Sequence, residues 1–351
     1  MRMELFADEN RQWDREFLGG YDLDARLFSE MGLRISQIVP ARNAFRIATD
    51  KGFFSLKKLR FPVEDMDFVI GAMEHLGGRG FGNTFKIVRQ RNGDSFLDFN
   101  GEKYYLIQWI DGRECNFMDP LDLDAAIGAM ADLHRAAEGY FPEKPPEDRC
   151  YYGKWPESFG SRLKEMDLAK ERIMEKPERN DIDCMYLDYV DMCIKNAGEA
   201  LDLLNKSGYK KLSEVAAARG SFINHDPSQH NILHTFDGRT YMGDFDYSIL
   251  DLRIHDLGSL ILKNLKRCSW NIGKAVEILE GYDRRNPIDK DELRVLVPFF
   301  LFPQDFRQVS RQYDIERKPW DEDELSDKMD ARAGYEQLRM EFIEEYQRKV
   351  L

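Results

Sequence analysis

A chain of 351 residues, 42% apolar and 33% charged, is long enough for two domains or two lobes around a sizeable core. Its net charge of −13 repels phosphates, which argues against non-specific nucleic-acid binding and against an anionic membrane surface. Five cysteines (Cys115, Cys150, Cys184, Cys193, Cys268) without C-x-x-C or zinc-ligand spacing read as reduced thiols; no apolar run approaches the ~20 residues of a membrane span, and the charged start "MRMELFADENRQWD" lacks the apolar core of a secretory signal.

In chain order, residues 1 to about 33 read as helical from the spacing of Phe17, Leu23, Leu27 and Met31. Strand patterns follow: "ISQIV" up to Pro40, "AFRIAT" into the turn Asp50-Lys51-Gly52, and "FFSLKKL" returning. Residues 62–76 are helical, and "GGRG" stops them. "TFKIVRQ", "SFLDF" and "KYYLIQWI" read as further strands. After Gly112 the pattern turns helical: "DLDAAIGAMADLHRAA" puts Leu123, Ile127, Met130 and either Leu133 or His134 on one face. Helical segments recur over 156–218 and from the end of a hairpin to Leu351. The expectation is an α+β fold of two lobes, a sheet-rich one over 1–107 and a helix-rich one over 108–351, with a ligand cleft where they join.

The hairpin lies in "NHDPSQHNILHTFDGRTYMGDFDYS", residues 224–248. Centred on Asp237-Gly238, it sets Phe236 opposite Arg239, His234 opposite Tyr241 and Asn231 opposite Asp244. Directly opposed residues have Cβ atoms roughly 4.5–5.5 Å apart, so an amide oxygen and a carboxylate would meet at its open end. Such oxygens suit magnesium, which fills its other positions with water and substrate phosphates. Asp226 precedes Asn231 at the D-x-x-x-x-N spacing of a kinase catalytic loop, and Asp244 falls where that scheme has its second metal ligand. A calcium loop in "DFDYSILDLRIH" lacks its glycine and its glutamate, and a D-x-D nucleophile at Asp244 and Asp246 leaves Asp226 and Asn231 unexplained. In "FFSLKK", strand alternation places Ser55 and Lys57 on one face and Phe54 and Leu56 on the other.

The segments "FFSLKKLR", "YYLIQWIDGRE", "MADLH", "NHDPSQHN" and "GDFDYSILDLRIHDLG" resemble the aminoglycoside-phosphotransferase branch of the protein-kinase-like fold, and within it the spore-coat CotS family of kinase-like proteins. The resemblance implies a bilobal kinase-like fold using ATP and Mg2+. Ser55 would lie against adenine and Lys57 would reach the α/β-phosphates. Asp67 fits the family's spacing for the lysine's acidic partner, with Glu64 and Glu74 also available. Gln108, Trp109 and Ile110 would form the linker whose backbone meets adenine. Asn231 and Asp244 would hold Mg2+, Asp226 would orient the acceptor's proton, Asp246 would support the metal site, Asp256 would brace the loop, and His134 would be a packed helix residue.

Asn224 stands where the family has histidine, and "PARNAF" (40–45) occupies the phosphate-loop position without G-x-G-x-x-G. The implied function is an ATP/Mg-dependent phosphotransferase acting on the hydroxyl of a small molecule or a coat component. The alternative is a kinase-shaped structural protein of the spore coat with little or no turnover. The implied location is the bacterial cytoplasm of the mother cell, ending in the coat among other coat proteins, with neither nucleic acid nor membrane as partner.

Overall fold

Alternating apolar side chains and tight turns direct the first third of the chain into an antiparallel sheet. The structure, a computed structural model, describes residues 3–4, 18–19, 21, 23–316 and 322–351. Strand β1 (Met3–Glu4) precedes helix α1 (Ala25–Glu30), strands β2 (Ile35–Ala41), β3 (Ala44–Thr49) and β4 (Gly52–Lys58), helix α2 (Met66–Gly78), and strands β5 (Ile87–Val88), β6 (Leu97–Phe99) and β7 (Glu102–Gln108). Their order in the sheet is β1-β2-β3-β4-β7-β5, with β6 also on β7. The helical reading of residues 1–33 is corrected at Met3 and Glu4, which pair as a strand with Ile38 and Gln37. Leu18 and Gly19 are helical, and a helix runs over Ala25–Glu30, where the Asp24 carboxylate caps the Arg26 N–H. Phe17 lies outside the described residues.

The turn at Asp50-Lys51 closes on a Thr49–Gly52 pair, and Gly52 takes φ +114°, open to glycine at no steric cost. From there β4 alternates. Leu56 and Phe54 join a core with Leu27, Phe28, Ile38, Ile47 and Leu106, which leaves Ser55 and Lys57 on the opposite face. On that face Met66 and Ile70 of α2 pack against Tyr105 and Ile107. "PARNAF" is a tight turn between paired Ala41 and Ala44, and Arg42 reaches Glu114 at 2.8 Å.

After β8 (Arg113–Glu114) come helices α3 (Pro120–Ala137), α4 (Trp155–Met174), α5 (Asp181–Lys206) and α6 (Tyr209–Arg219), the hairpin strands β9 (Ile232–His234) and β10 (Thr240–Met242), and then α7 (Ile254–Leu265), α8 (Ile272–Asp283), α9 (Lys290–Leu301), α10 (Gln304–Asp314), α11 (Glu322–Ala333) and α12 (Glu336–Val350). Asn180 and Asp183 form a capping box at the start of α5, worth about 1 kcal/mol. Gly258 lets α7 approach α9 closely: a Cβ there would lie 2.8 Å from Leu296 Cδ2 and from Phe299 Cε1. Among the described residues no helix is long and apolar enough to cross a membrane.

The chain divides into two compact units. The first holds Met1–Cys115, Pro142–Pro146 and His230–Asp246; the second holds Asn116–Phe141, Glu147–Gln229 and Tyr247–Leu351. A division at 107/108 leaves the hairpin with the helices, whereas the contacts place it with the sheet.

Within the second unit Asp251 is fully buried. Its carboxylate accepts Trp155 Nε1–H at 2.8 and 3.0 Å and the Leu252 N–H at 2.8 Å. Burial outweighs those hydrogen bonds and pushes its pKa up from 3.8 to about 8. The folded chain therefore keeps a proton that the unfolded chain has released, so stability falls as pH rises from about 4 to about 8. Asp251→Asn is expected to flatten that slope in urea titrations across this range. A variant that loses stability with pH as steeply as the parent chain refutes the assignment.

Candidate functional site

The first unit contributes the hairpin and Lys57. β10 pairs with β9 and β9 with β8. The Thr235 N–H donates to Arg239 O and the Gly238 N–H to Thr235 O, both at 3.0 Å. The loop is thus Phe236-Asp237-Gly238, with Gly238 at φ +79°, the common three-residue turn that ends in a left-handed glycine. This corrects the expected register. The turn centres on Asp237, not between Asp237 and Gly238, so His234 faces Thr240, Leu233 faces Tyr241 and Ile232 faces Met242. Asn231 O accepts the Gly243 N–H at 2.8 Å, and Asp244 stands one residue beyond direct opposition.

Asp244 itself has φ +56°, a left-handed backbone that costs on the order of 1 kcal/mol and turns the chain sharply. Gly243 makes the approach to that turn: a Cβ there would lie 2.1 Å from the Phe85 ring. The Met242 N–H donates to Asn83 O at 3.1 Å, and Thr84 bridges Met242. Residues 83–85 therefore hold the strand that delivers Asp244.

Lys57 Nζ donates to Asp244 Oδ1 and to Asp246 Oδ2, each at 2.7 Å. Tyr105, the β7 partner of Lys57, donates its hydroxyl to Asp246 Oδ2 at 2.7 Å. The three charged side chains are only 16%, 25% and 20% exposed, so the contacts act in a medium less screening than water. Burial raises the pKa of Asp244, Lys57 opposes the rise and Asp246 adds to it. Burial also opposes the charge on Lys57, but Asp246 and Asp244 overcome it and its pKa is raised.

The expected lysine partner is corrected here as well. Asp67 and Glu64 are exposed, and Glu74 pairs with Arg89 at 2.9 Å. The acids on the Lys57 ammonium come from the hairpin's end. The linker amides of Gln108 and Trp109 are also committed, to Lys86 O at 2.8 Å and Phe53 O at 3.2 Å, while Ile110 is half-buried. Adenine recognition by this segment would fall to its carbonyls and to Ile110.

The second unit contributes Asp226. Ser228 Oγ and Lys263 Nζ both donate to Asp226 Oδ1, Lys263 at 2.5 Å, and Lys263 also reaches Ser228 Oγ at 2.7 Å. Two turns earlier on α7, Asp256 accepts the N–H groups of Asn224 and His225 at 2.9 Å each. One face of α7 thus holds both the backbone before Asp226 and its carboxylate. His225 adopts φ +71°. Asp256 is bound in turn by His134 Nε2 at 3.1 Å, and His134 Nδ1 meets the Tyr282 hydroxyl at 2.8 Å. Burial of Asp256 works against its charge, but the His134 hydrogen bond and the nearby imidazoles hold its pKa below the usual value. The rings of His225 and His255 lie 4.9 Å apart. Burial lowers both pKa values, that of His255 to about 3, so both are neutral at pH 7.

Tyr105, Ser228 and Lys263 are the contacts that sequence reasoning did not assign, and Asp246, expected to support the metal site, pairs with Lys57. The β4 alternation that selected Lys57 also selects Tyr105 by pairing, and hence Asp246. The seven-residue step from Asp256 to Lys263 on one helix was readable too. Chemically, Asp244 and Asn231 offer the hard oxygen donors that magnesium takes, beside an ammonium able to meet phosphate. Asp226 is a carboxylate whose Oδ1 accepts from an ammonium and a hydroxyl.

Spore coat protein S of Bacillus subtilis (strain 168) is 23% identical over 86% of this chain and 86% of its own length. A homoserine kinase of Beijerinckia indica is 24% identical over 80% of this chain and 79% of its own. An aminoglycoside phosphotransferase structure from Alicyclobacillus acidocaldarius superposes with a TM-score of 0.78 at 19% identity, covering 93% of this chain and 96% of that one. A spectinomycin phosphotransferase in complex with ADP and spectinomycin gives 0.61 at 13%, covering 95% and 98%. These likenesses show the protein-kinase-like α+β fold. A family model described as "Spore coat putative kinase YutH" matches residues 25–346, and the chain therefore belongs to the Spore coat putative kinase YutH family.

Proposed function

We propose that this chain is a phosphotransferase of the spore coat, transferring the terminal phosphoryl group of ATP, with Mg2+, to a hydroxyl of a small molecule or a coat component. The observation that carries the reading is the Lys57 ammonium lying 2.7 Å from both Asp244 and Asp246. A cation for phosphates and acids for a metal are brought together from distant parts of the sequence. Asn231 and Asp244 would hold Mg2+, which supplies charge neutralisation on the phosphates. Lys57 holds phosphate oxygens, Ser55 and the segment Gln108-Trp109-Ile110 take the adenine side, and Asp226 orients the acceptor's hydroxyl. Lys263 and Ser228 hold that carboxylate in place. The protein's part is alignment and charge stabilisation.

The names of the relatives support the reading: kinases of small hydroxyl compounds on one side, a spore coat protein on the other. Mg-ATP is expected to raise the melting temperature in proportion to the logarithm of its concentration above Kd, and ATP without Mg2+ to raise it less. No shift with Mg-ATP up to about 100 times a micromolar Kd would reject the proposal. A shift without turnover on any hydroxyl compound would leave the second reading, a nucleotide-binding structural protein of the coat. That reading draws on Asn224 in place of the family's histidine.

A further inference from the structure

Helix α4 buries a stripe made by Trp155, Phe159, Met166 and Ile173, none more than 5% exposed. Arg162 stands in that stripe, two turns after Trp155 and one turn before Met166. A guanidinium among apolar side chains is costly unless a carboxylate or several acceptors meet it. Glu165 is the acid at hand, but it is taken by Arg307, whose Nε and Nη2 reach Oε2 at 2.9 and 2.5 Å. Arg162 has a neutral amide instead, Gln304 Oε1 at 3.0 Å. Among the described residues it forms no ion pair. Burial, and then the like charge of Arg307, lower its pKa. Glu165 serves Arg307 and, at 3.9 Å, Arg311, so the Arg162 charge has no carboxylate of its own.

The position of that charge gives it meaning. The Trp155 ring packs on His255 at 5.5 Å, and His255 packs on His225 at 4.9 Å. His225 immediately precedes Asp226. Both imidazoles feel the charges of Arg162 and Lys263. Lys263 is committed to Asp226, so of these two cations only Arg162 lacks a carboxylate. A carboxylate on the acceptor would supply that counter-charge, whereas a neutral or cationic acceptor would leave Arg162 unmatched.

We propose that Arg162 anchors a carboxylate of the phosphoryl acceptor, so that the acceptor class is a small hydroxy acid, not a neutral or cationic alcohol. The proposal rests on the reading of Asp226 as the residue that orients the acceptor hydroxyl. Arg162's fork of donors suits a carboxylate, and the Gln304 amide fixes one arm of it.

The test is calorimetry on the whole chain without ATP. L-homoserine is compared with 3-aminopropan-1-ol, the same molecule lacking the carboxylate, and L-serine and D-glycerate are added as further hydroxy acids. At least one hydroxy acid is expected to bind about tenfold or more tightly than the matched alcohol, as a charge-assisted pair allows. Arg162→Met should erase that preference while the melting temperature stays level or rises, since it removes an unmatched charge from an apolar stripe. Arg162→Lys should restore part of the preference. Equal binding of the matched pair, a preference that survives Arg162→Met, or no binding of any of the three hydroxy acids would each overturn the proposal. Binding through Arg162 by a chain that never transfers phosphate would instead refute the phosphotransferase reading and leave the anion site in place.

Discussion

Asp226→Asn is expected to lower phosphoryl transfer by about 10²- to 10⁴-fold, the range for removal of a positioned proton acceptor, while Mg-ATP affinity stays within about twofold. Two features of the second unit set this expectation. The carboxylate accepts from Lys263 and Ser228, and the amide that replaces it can still accept from both but cannot take a proton. The fold should survive, because the Asp226 and Lys263 side chains are each 34% exposed, and pairs so open to water contribute about 0.2–1 kcal/mol. Single-turnover transfer from labelled ATP, with calorimetric Mg-ATP binding on the same sample, gives both halves of the result. Transfer at the parental rate would remove Asp226 from the mechanism.

Lys57→Met is expected to act on stability and metal binding at once. It leaves Asp244 and Asp246 facing each other without their shared cation. Removing one partner of a fully buried pair costs about 3–5 kcal/mol. Here exposures of 16–25% admit some water, so about 2 kcal/mol is the expected loss at pH 7. The sign of the pH response follows from Asp244, whose pKa is raised in the fold. The folded variant takes up a proton before the unfolded chain does, so acidification from neutral pH should recover stability. Added Mg2+ should also stabilise Lys57→Met more than the parent chain, because a divalent ion can replace the lost ammonium between the acids. Asp244→Asn should abolish that extra Mg2+ response. Identical Mg2+ responses in the parent and Lys57→Met chains would show that these acids are not a metal site.

What could be read before the fold was known depended on how local each signal was. Ser55 and Lys57 were legible because a strand alternates whatever surrounds it. Asp226 and Asn231 were legible because five residues of loop impose their own spacing. The hairpin register was missed by one residue because Asp237-Gly238 is compatible with both a two-residue and a three-residue turn. The choice is made by the left-handed Gly238 and by the bonds of Thr235 to Arg239, which no dipeptide rule contains. The acids on Lys57 were sought one helix away, at Asp67, because sequence spacing does not reveal that the chain brings Asp244 and Asp246 back to β4 from almost two hundred residues later. Arg162 was invisible for a different reason. Its significance is a missing counter-charge, and whether Glu165 serves Arg162 or Arg307 is decided only in three dimensions.

The glycine at the crossing of α7 and α9 sets more than a helix distance. Because α7 carries both Asp256 and Lys263, the spacing at Gly258 is passed on, as by the fulcrum of a lever, to the two amides and the one carboxylate that α7 holds. Phe299 and Leu296, which touch neither nucleotide nor acceptor on this reading, thereby calibrate the aim of Asp226. Selection for a change in rate could then work through the underside of the helix, far from any reacting atom.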